Sequence, residues 1–174
     1  MEYHFTLTYQ LTPADSNSQE LVERLGEAGC TDALVGIGLA GRLALEFDRE
    51  AERAETAVLS AMADVQRAVP TARLIEVAPD LVGLTDVASL VNVTRQNMRK
   101  LMVAHQESFP IPVHGGSATL WHLEDLLTWM QARTGYHVAA DVLEVAQTAR
   151  RVNVQKEWQR VSDTPSRELL ALAR

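Results

Sequence analysis

The stretch Leu84-Thr85-Asp86-Val87-Ala88-Ser89-Leu90-Val91-Asn92-Val93-Thr94-Arg95-Gln96-Asn97-Met98-Arg99-Lys100-Leu101-Met102 reads as two short helices joined by a tight turn. Thr85 or Asp86 can cap the first helix, whose Val87, Ala88 and Leu90 point inward. Asn92 stands where a left-handed turn residue serves, and Thr94 can cap the second helix. At about 100° per residue, Met98, Leu101 and Met102 share one side of that second helix. Gln96, Arg99 and Lys100 lie opposite, with Arg95 and Asn97 on the flanks. This exposed face is made of the side chains that read base edges: Arg pairs two-pronged with guanine, Gln and Asn with adenine, while Lys and a helix N-terminus neutralise phosphate. The layout predicts a helix-turn-helix.

Downstream, Phe109-Pro110-Ile111-Pro112-Val113-His114-Gly115-Gly116-Ser117-Ala118-Thr119-Leu120-Trp121 cannot be helical through its prolines, and Gly115-Gly116 signals a hairpin turn between two short extended pieces. A small wing is expected there. His122 to Ala132 resumes helical spacing, with Leu123, Leu126, Leu127 and Met130 on one face and Trp129 near it. From Leu81 to Trp129 the sequence resembles the winged helix-turn-helix domain of the MerR, AlpA and excisionase group. In that group a helix pair precedes a proline-bearing approach to a wing, an aromatic residue closes the wing, and a helix ending in Trp follows. The resemblance implies that the second helix lies in the major groove of double-stranded DNA. Arg95, Gln96, Asn97 and Arg99 would then contact bases, Thr94 would stand at the helix N-terminus on the DNA, and Lys100 and the wing residues His114, Gly115, Gly116 and Ser117 would meet the backbone. Family wings bring Arg or Lys, and a basic residue commonly follows the closing aromatic; here the wing has only His114 and Ser117, and His122 follows Trp121. Phosphate contacts per protomer are therefore few, and a homodimer is expected. The group's effector domains often carry metal-binding cysteines, and none follows the winged domain here, so metal sensing is not expected.

Upstream, Tyr3, Phe5, Leu7, Tyr9 and Leu11 alternate strictly with polar residues, the period of a half-buried strand. Ser16 or Ser18 can cap a helix from Ser18 to Ala28 with Leu21, Val22, Leu25 and Ala28 on one stripe, ended by Gly29. Ala33 to Leu39 and Arg42 to Asp48 form a hairpin about Gly38 to Gly41. Ala54, Ala57, Val58, Ala61, Met62, Val65 and Val69 mark a second helix between Glu50 and Val69, and Ala72 to Ala78 is a fourth strand with Ile75 and Val77 on one side. Strand, helix, strand, strand, helix, strand predicts a ferredoxin-like antiparallel sheet with two helices on one face. The chain is thus expected to be α+β: residues 1–80 in this domain, 81–137 in the winged domain, and 138–174 in a C-terminal helix and tail.

Charge divides the same way. The 174 residues carry a net charge of −7, and residues 1–80 alone hold 6 basic and 14 acidic residues, a net of −8. Arg95, Arg99 and Lys100 fall in one six-residue window with no acid between Asp86 and Glu107. An acidic first domain would be repelled by phosphate, so it is expected to face away from DNA and to sense a small molecule, hold a protein partner or dimerise with a second copy of itself. If the apolar residues of the first strand face the helices, its open sheet face is polar. Cys30 is the single cysteine, which excludes an internal disulfide and reads as a small buried residue. His4, His105, His114, His122 and His137 show no close metal spacing, and no phosphate-cradling glycine loop or nucleophile elbow occurs. No catalytic residue, metal or cofactor is expected. His122 reads as a cap or core-edge residue. No apolar run approaches the roughly 20 residues of a membrane helix and no signal peptide is readable, so a cytoplasmic protein without membrane contact is expected.

Val138, Val142, Val145, Ala149 and Val152 repeat at coiled-coil spacing, and Trp158 and Val161 continue an apolar side after a shift of phase. Two alternatives follow: a dimerisation helix, or a helix packed on its own chain. Ser162 to Ser166 reads as a linker, and Glu168 to Ala173 as a last helical turn or a frayed end. A sequence-specific regulator of transcription is the function the residues favour. Its rivals are an antitoxin-like or accessory module that holds a partner and regulates itself through DNA, and an excisionase-like factor that bends DNA during recombination.

Overall fold

In a computed structural model, which describes residues 1–133 and 135–161, the alternation of the first strand becomes β1 (Glu2–Gln10). It pairs antiparallel with β3 (Arg42–Glu50) over its full length, from Glu2↔Glu50 to Gln10↔Arg42. β4 (Arg73–Ala78) lies on the other side of β1 and β2 (Ala33–Gly36) outside β3, giving the order β2-β3-β1-β4. α1 (Ser18–Glu27) and α2 (Ala54–Ala68) cover the face that carries Tyr3, Phe5, Leu7, Tyr9 and Leu11, all buried. This is the ferredoxin-like arrangement the element order predicts. Cys30 is buried in the same core, which pushes its thiol up to about 11.

Several local details differ from the sequence reading. Asn17, not Ser16 or Ser18, caps α1 by accepting the Glu20 N–H at 3.3 Å. Leu21, Leu25 and Ala28 form the inward stripe, which leaves Val22 exposed. Gly29 adopts φ +108°, a left-handed conformation, as the helix end requires. In β4 the register shifts beside Tyr9, so Leu74 pairs with Tyr9 and Val77 with Leu7. Ile75 is the extra residue of this bulge, and Leu74 rather than Ile75 packs on the core with Val77.

β3 runs past Asp48 because its ladder with β1 continues, and α2 accordingly begins at Ala54 instead of Glu50. The extension carries Arg49 to the buried side. Its five N–H groups all find acceptors: both Asp32 carboxylate oxygens at 2.7 and 2.9 Å, Asp64 at 2.8 Å, Ser60 at 3.1 Å and the Gly29 carbonyl at 3.3 Å. The guanidinium also lies 4.9 Å from the centre of the Phe47 ring. Its hydrogen bonds hold the Asp32 carboxyl below the ordinary carboxylate range. Asp32 therefore contributes stability above that range, and the contribution is lost as pH falls through its lowered value. Arg49→Ala leaves Asp32 without a cation and Asp64 with Arg67 alone, at 3.1 Å, and should cost about 3–5 kcal/mol in urea unfolding. It should also flatten the acid side of the stability profile, and an unchanged profile in a destabilised variant would contradict the assignment.

The second half begins at β5 (Leu81–Val82) and continues through α3 (Leu84–Leu90), α4 (Arg95–Ala104), β6 (His114–Gly115), β7 (Thr119–His122) and α5 (Leu123–Gln131). A three-stranded antiparallel sheet of order β5-β7-β6 forms beside the helix pair. α6 (Ala140–Arg160) then returns across both halves. Val145 and Ala149 are buried in the first core with Val152 against it, and Ala146 is buried in the second with Val138, Val142 and Leu143 against it. The coiled-coil spacing is thus occupied inside the chain, and the helix is apolar on two sides because it separates two cores. Trp158 and Val161 do not continue this packing; both are exposed. The linker and last turn expected beyond Ser162 lie outside the described residues.

Polar contacts fix α6 in place. Glu144 accepts the Tyr3 hydroxyl at 2.9 Å and the Ala54 N–H, at the start of α2, at 3.4 Å. Arg150 pairs with Glu124 and Asp125 in the first turn of α5. The Asn153 carboxamide accepts the Val77 N–H at 2.9 Å and donates to the Val77 carbonyl at 2.8 Å, while Lys156 donates to the Ile75 carbonyl. These bonds close the otherwise free edge of β4, an edge that would invite pairing with another strand. Asn153 also donates to buried Asp80 at 2.8 Å, whose other oxygen lies 2.6 Å from His122 Nδ1. Asn153→Ala should cost about 1–3 kcal/mol by leaving these groups unpaired. Hydrogen exchange at the Val77 amide should accelerate together with that loss, and a protected Val77 in the variant would refute the edge-closing role.

Candidate nucleic-acid interface

The candidate site is built on α3, α4 and the β6–β7 wing. α3 is closed at its start by Asp86, whose carboxylate accepts the Gly83 N–H at 2.8 Å; Gly83 occupies the cap position expected for Thr85 or Asp86. Val87 and Ala88 are buried as expected, but Leu90 is exposed because Leu84, Val87, Ala88 and Val91 form the inward stripe. The turn between the helices places Asn92 at φ +53°, the left-handed conformation its type tolerates. Thr94 caps α4, its hydroxyl accepting the Asn97 N–H at 3.1 Å.

α4 is seated by Met98, which is fully buried, with Leu101 and Met102 packed against the same core. Arg95, Gln96, Arg99 and Lys100 are exposed and Asn97 is half-buried. The wing residues His114, Gly115, Gly116 and Ser117 are all exposed. The strands pair His114 with Leu120 and Gly115 with Thr119, so the hairpin turns at Gly116-Ser117-Ala118 and Gly115 belongs to β6 instead of the turn. Between α4 and the wing lies a cleft of about 800 Å³ that brings Arg95, Arg99 and Ser117 together. Gln96, Lys100, His114, Gly115 and Gly116 do not line it. Thr94 and Asn97 share a shallow hollow with Asn92 at the start of α4.

An aromatic cluster holds the wing to the helices. Phe109 meets Trp121 and Trp129 edge-on at centroid distances of 6.0 and 5.0 Å, and Trp121 Nε1 donates to the Pro110 carbonyl at 3.0 Å. Arg133 lies over the Trp129 ring at 3.5 Å and donates to Ser108 at 2.9 Å, which secures the loop between α4 and the wing. His122 stands at the cap position of α5, but its ring turns to Asp80 instead of the helix N–H groups.

Gln106 and Thr119 also line the cleft, and the sequence reading did not single them out. Gln106 was findable: it lies seven residues beyond Arg99, on the same helical face if the period is continued past the helix end. An apolar rim was not. Val103 and Ile111, which line the cleft, are 54% and 85% exposed, and flanking prolines give no periodicity from which Ile111 could be placed.

No protein-family model matches this chain, and neither does any curated protein or solved structure. The turn that sets the angle of α4 is open to direct test. Asn92→Gly should leave stability within about 0.5 kcal/mol, whereas Asn92→Val forces a β-branched residue into the left-handed region and should cost about 1–2 kcal/mol. Thermal unfolding of the two variants measures the difference, and equal midpoints would argue against the left-handed turn.

Proposed function

We propose that this protein is a sequence-specific DNA-binding protein, a regulator of transcription that inserts α4 into the major groove and lays the wing of residues 113–121 against the adjacent backbone. The observation that supports this reading most is the division of α4: Met98 is buried, and Arg95, Gln96, Arg99 and Lys100 are exposed on a helix without a carboxylate. Arg95 and Arg99 read guanine edges, Gln96 and Asn97 read adenine, and Lys100 and the capped start of α4 meet phosphate. The resemblance to the MerR, AlpA and excisionase group supports the same assignment of α4 and the wing. The acidic first domain faces away from the duplex and serves as a module for an effector or partner, since a net charge of −8 opposes phosphate contact. With so few basic residues on the DNA face, two copies act together on one site.

A second reading draws on the exposed apolar rim of Val103 and Ile111. Such a patch beside the cleft suits a protein partner, as in an antitoxin-like module that regulates its own synthesis. Selection from a random DNA pool tests the first reading and should use the whole chain, because α6 contributes to both cores. The selected site should be a near-palindrome with half-sites about one helical turn apart, or a multiple of it. Arg99→Ala should cost about 1–3 kcal/mol at one base pair and relax specificity there, and Lys100→Ala should lower affinity evenly and reduce the salt slope by about one. Unchanged affinity in Arg95→Ala, Gln96→Ala and Arg99→Ala would reject the assignment.

A further inference from the structure

A groove where α2 and β4 meet the last turns of α6 shares no lining residue with the cleft between α4 and the wing. Its volume is about 1030 Å³, at the upper end of the range of about 300–1,000 Å³ usual for small-molecule sites. Its floor is aliphatic: Leu59, Met62, Leu74, Ile75 and Val152. Leu59 is 49% exposed, a large apolar side chain left open in a concavity. Around this floor stand Arg73, Arg151, Lys156 and Arg160, with Glu157 as the carboxylate of the lining. Glu157 is held by Lys156 at 3.0 Å and Arg160 at 3.3 Å. Arg73 and Arg151 form no ion pair among the described residues. The groove is thus a cationic, apolar-floored site on a domain whose segment is otherwise strongly acidic.

We propose that this groove binds an amphipathic organic anion, an unbranched aliphatic chain with a carboxylate head. The chain lies on Leu59, Met62, Leu74, Ile75 and Val152, and the head is taken by Arg73 and Arg151, whose planar forks match a carboxylate. Among the described residues no aromatic ring lines the groove, which disfavours a base or another flat ring system that would gain from stacking. The concave shape, with an aliphatic floor and cationic groups around it, suits a small molecule with an apolar body and a charged head. Since the groove is remote in function from α4, this proposal does not depend on DNA binding.

Titration of the whole chain with decanoate, without DNA, tests it. The methyl resonance of Met62, read with carbon-labelled methionine, should shift saturably, while those of Met98 and Met130, buried in the second half, should stay in place. Each methylene added from hexanoate to decanoate should tighten binding by up to about fourfold. Decanol, which lacks the head charge, should bind at least about tenfold more weakly, and Arg73→Gln with Arg151→Gln should lose a similar factor for decanoate. Both arginines are exposed, so that variant keeps its fold; Leu59→Glu, which sets a carboxylate in the groove, should abolish binding independently. No saturable shift at Met62, equal affinity for decanol and decanoate, or undiminished binding by both variants would each overturn the proposal. None of these outcomes bears on the selection of DNA by α4.

Discussion

The carboxamide of Asn153 satisfies both backbone groups of Val77 and reaches Asp80, and the arrangement of the two halves depends on that attachment. A side-chain amide is suited to this task because it presents a donor and an acceptor side by side, as a neighbouring strand would. It fixes α6 against β4, and α6 in turn gives Val145 and Ala149 to one core and Ala146 to the other. Asp80, held at its far oxygen by His122, extends the same network to β7 and hence to the base of the wing. The sheet of the first half and the wing of the second are coupled through these polar contacts and through the apolar side chains that α6 places in both cores.

Charge is sorted as strictly as polarity. The outer face of the sheet bears Glu2, Glu46, Asp48 and Glu50, on the side opposite the helices, and His4 pairs with Asp48 among them. Hydrogen bonding to Asp48 raises the His4 imidazole above its ordinary value. Inside, Arg49 and Arg67 together balance Asp32 and Asp64, and Arg24 with Thr71 and Thr12 holds the Asp15 carboxyl low. Acids of the first segment thus stand on the solvated face of the sheet, on the exposed sides of α1 and α2, and in satisfied partly buried pairs.

The strand and helix pattern was legible wherever one face is buried and the other wet. β1, α2 and α5 follow directly from their periods, and the left-handed Asn92 and the Thr94 cap were visible from residue type alone. The same logic failed at Ile75, because a one-residue bulge reverses which side chains face inward and leaves no mark in composition. Arg49 was hidden for a related reason: a charged residue at the end of an alternating run reads as the strand's end until its two carboxylate partners, 17 and 15 residues away, are known. Of the candidate site, the exposed face of α4 was readable and its meeting with the wing at one cleft was not, since that depends on Phe109 and Trp121 packing across the intervening prolines.

Closure of β4 by a helix far along the chain has a consequence during synthesis. Val77 and Asn153 are 76 residues apart, so at translation rates of about 5–20 residues per second the strand edge stays unpaired for roughly 4–15 s after it is made. Over that interval the sheet can complete its hydrogen bonds only with solvent or with the edge of a neighbouring nascent chain.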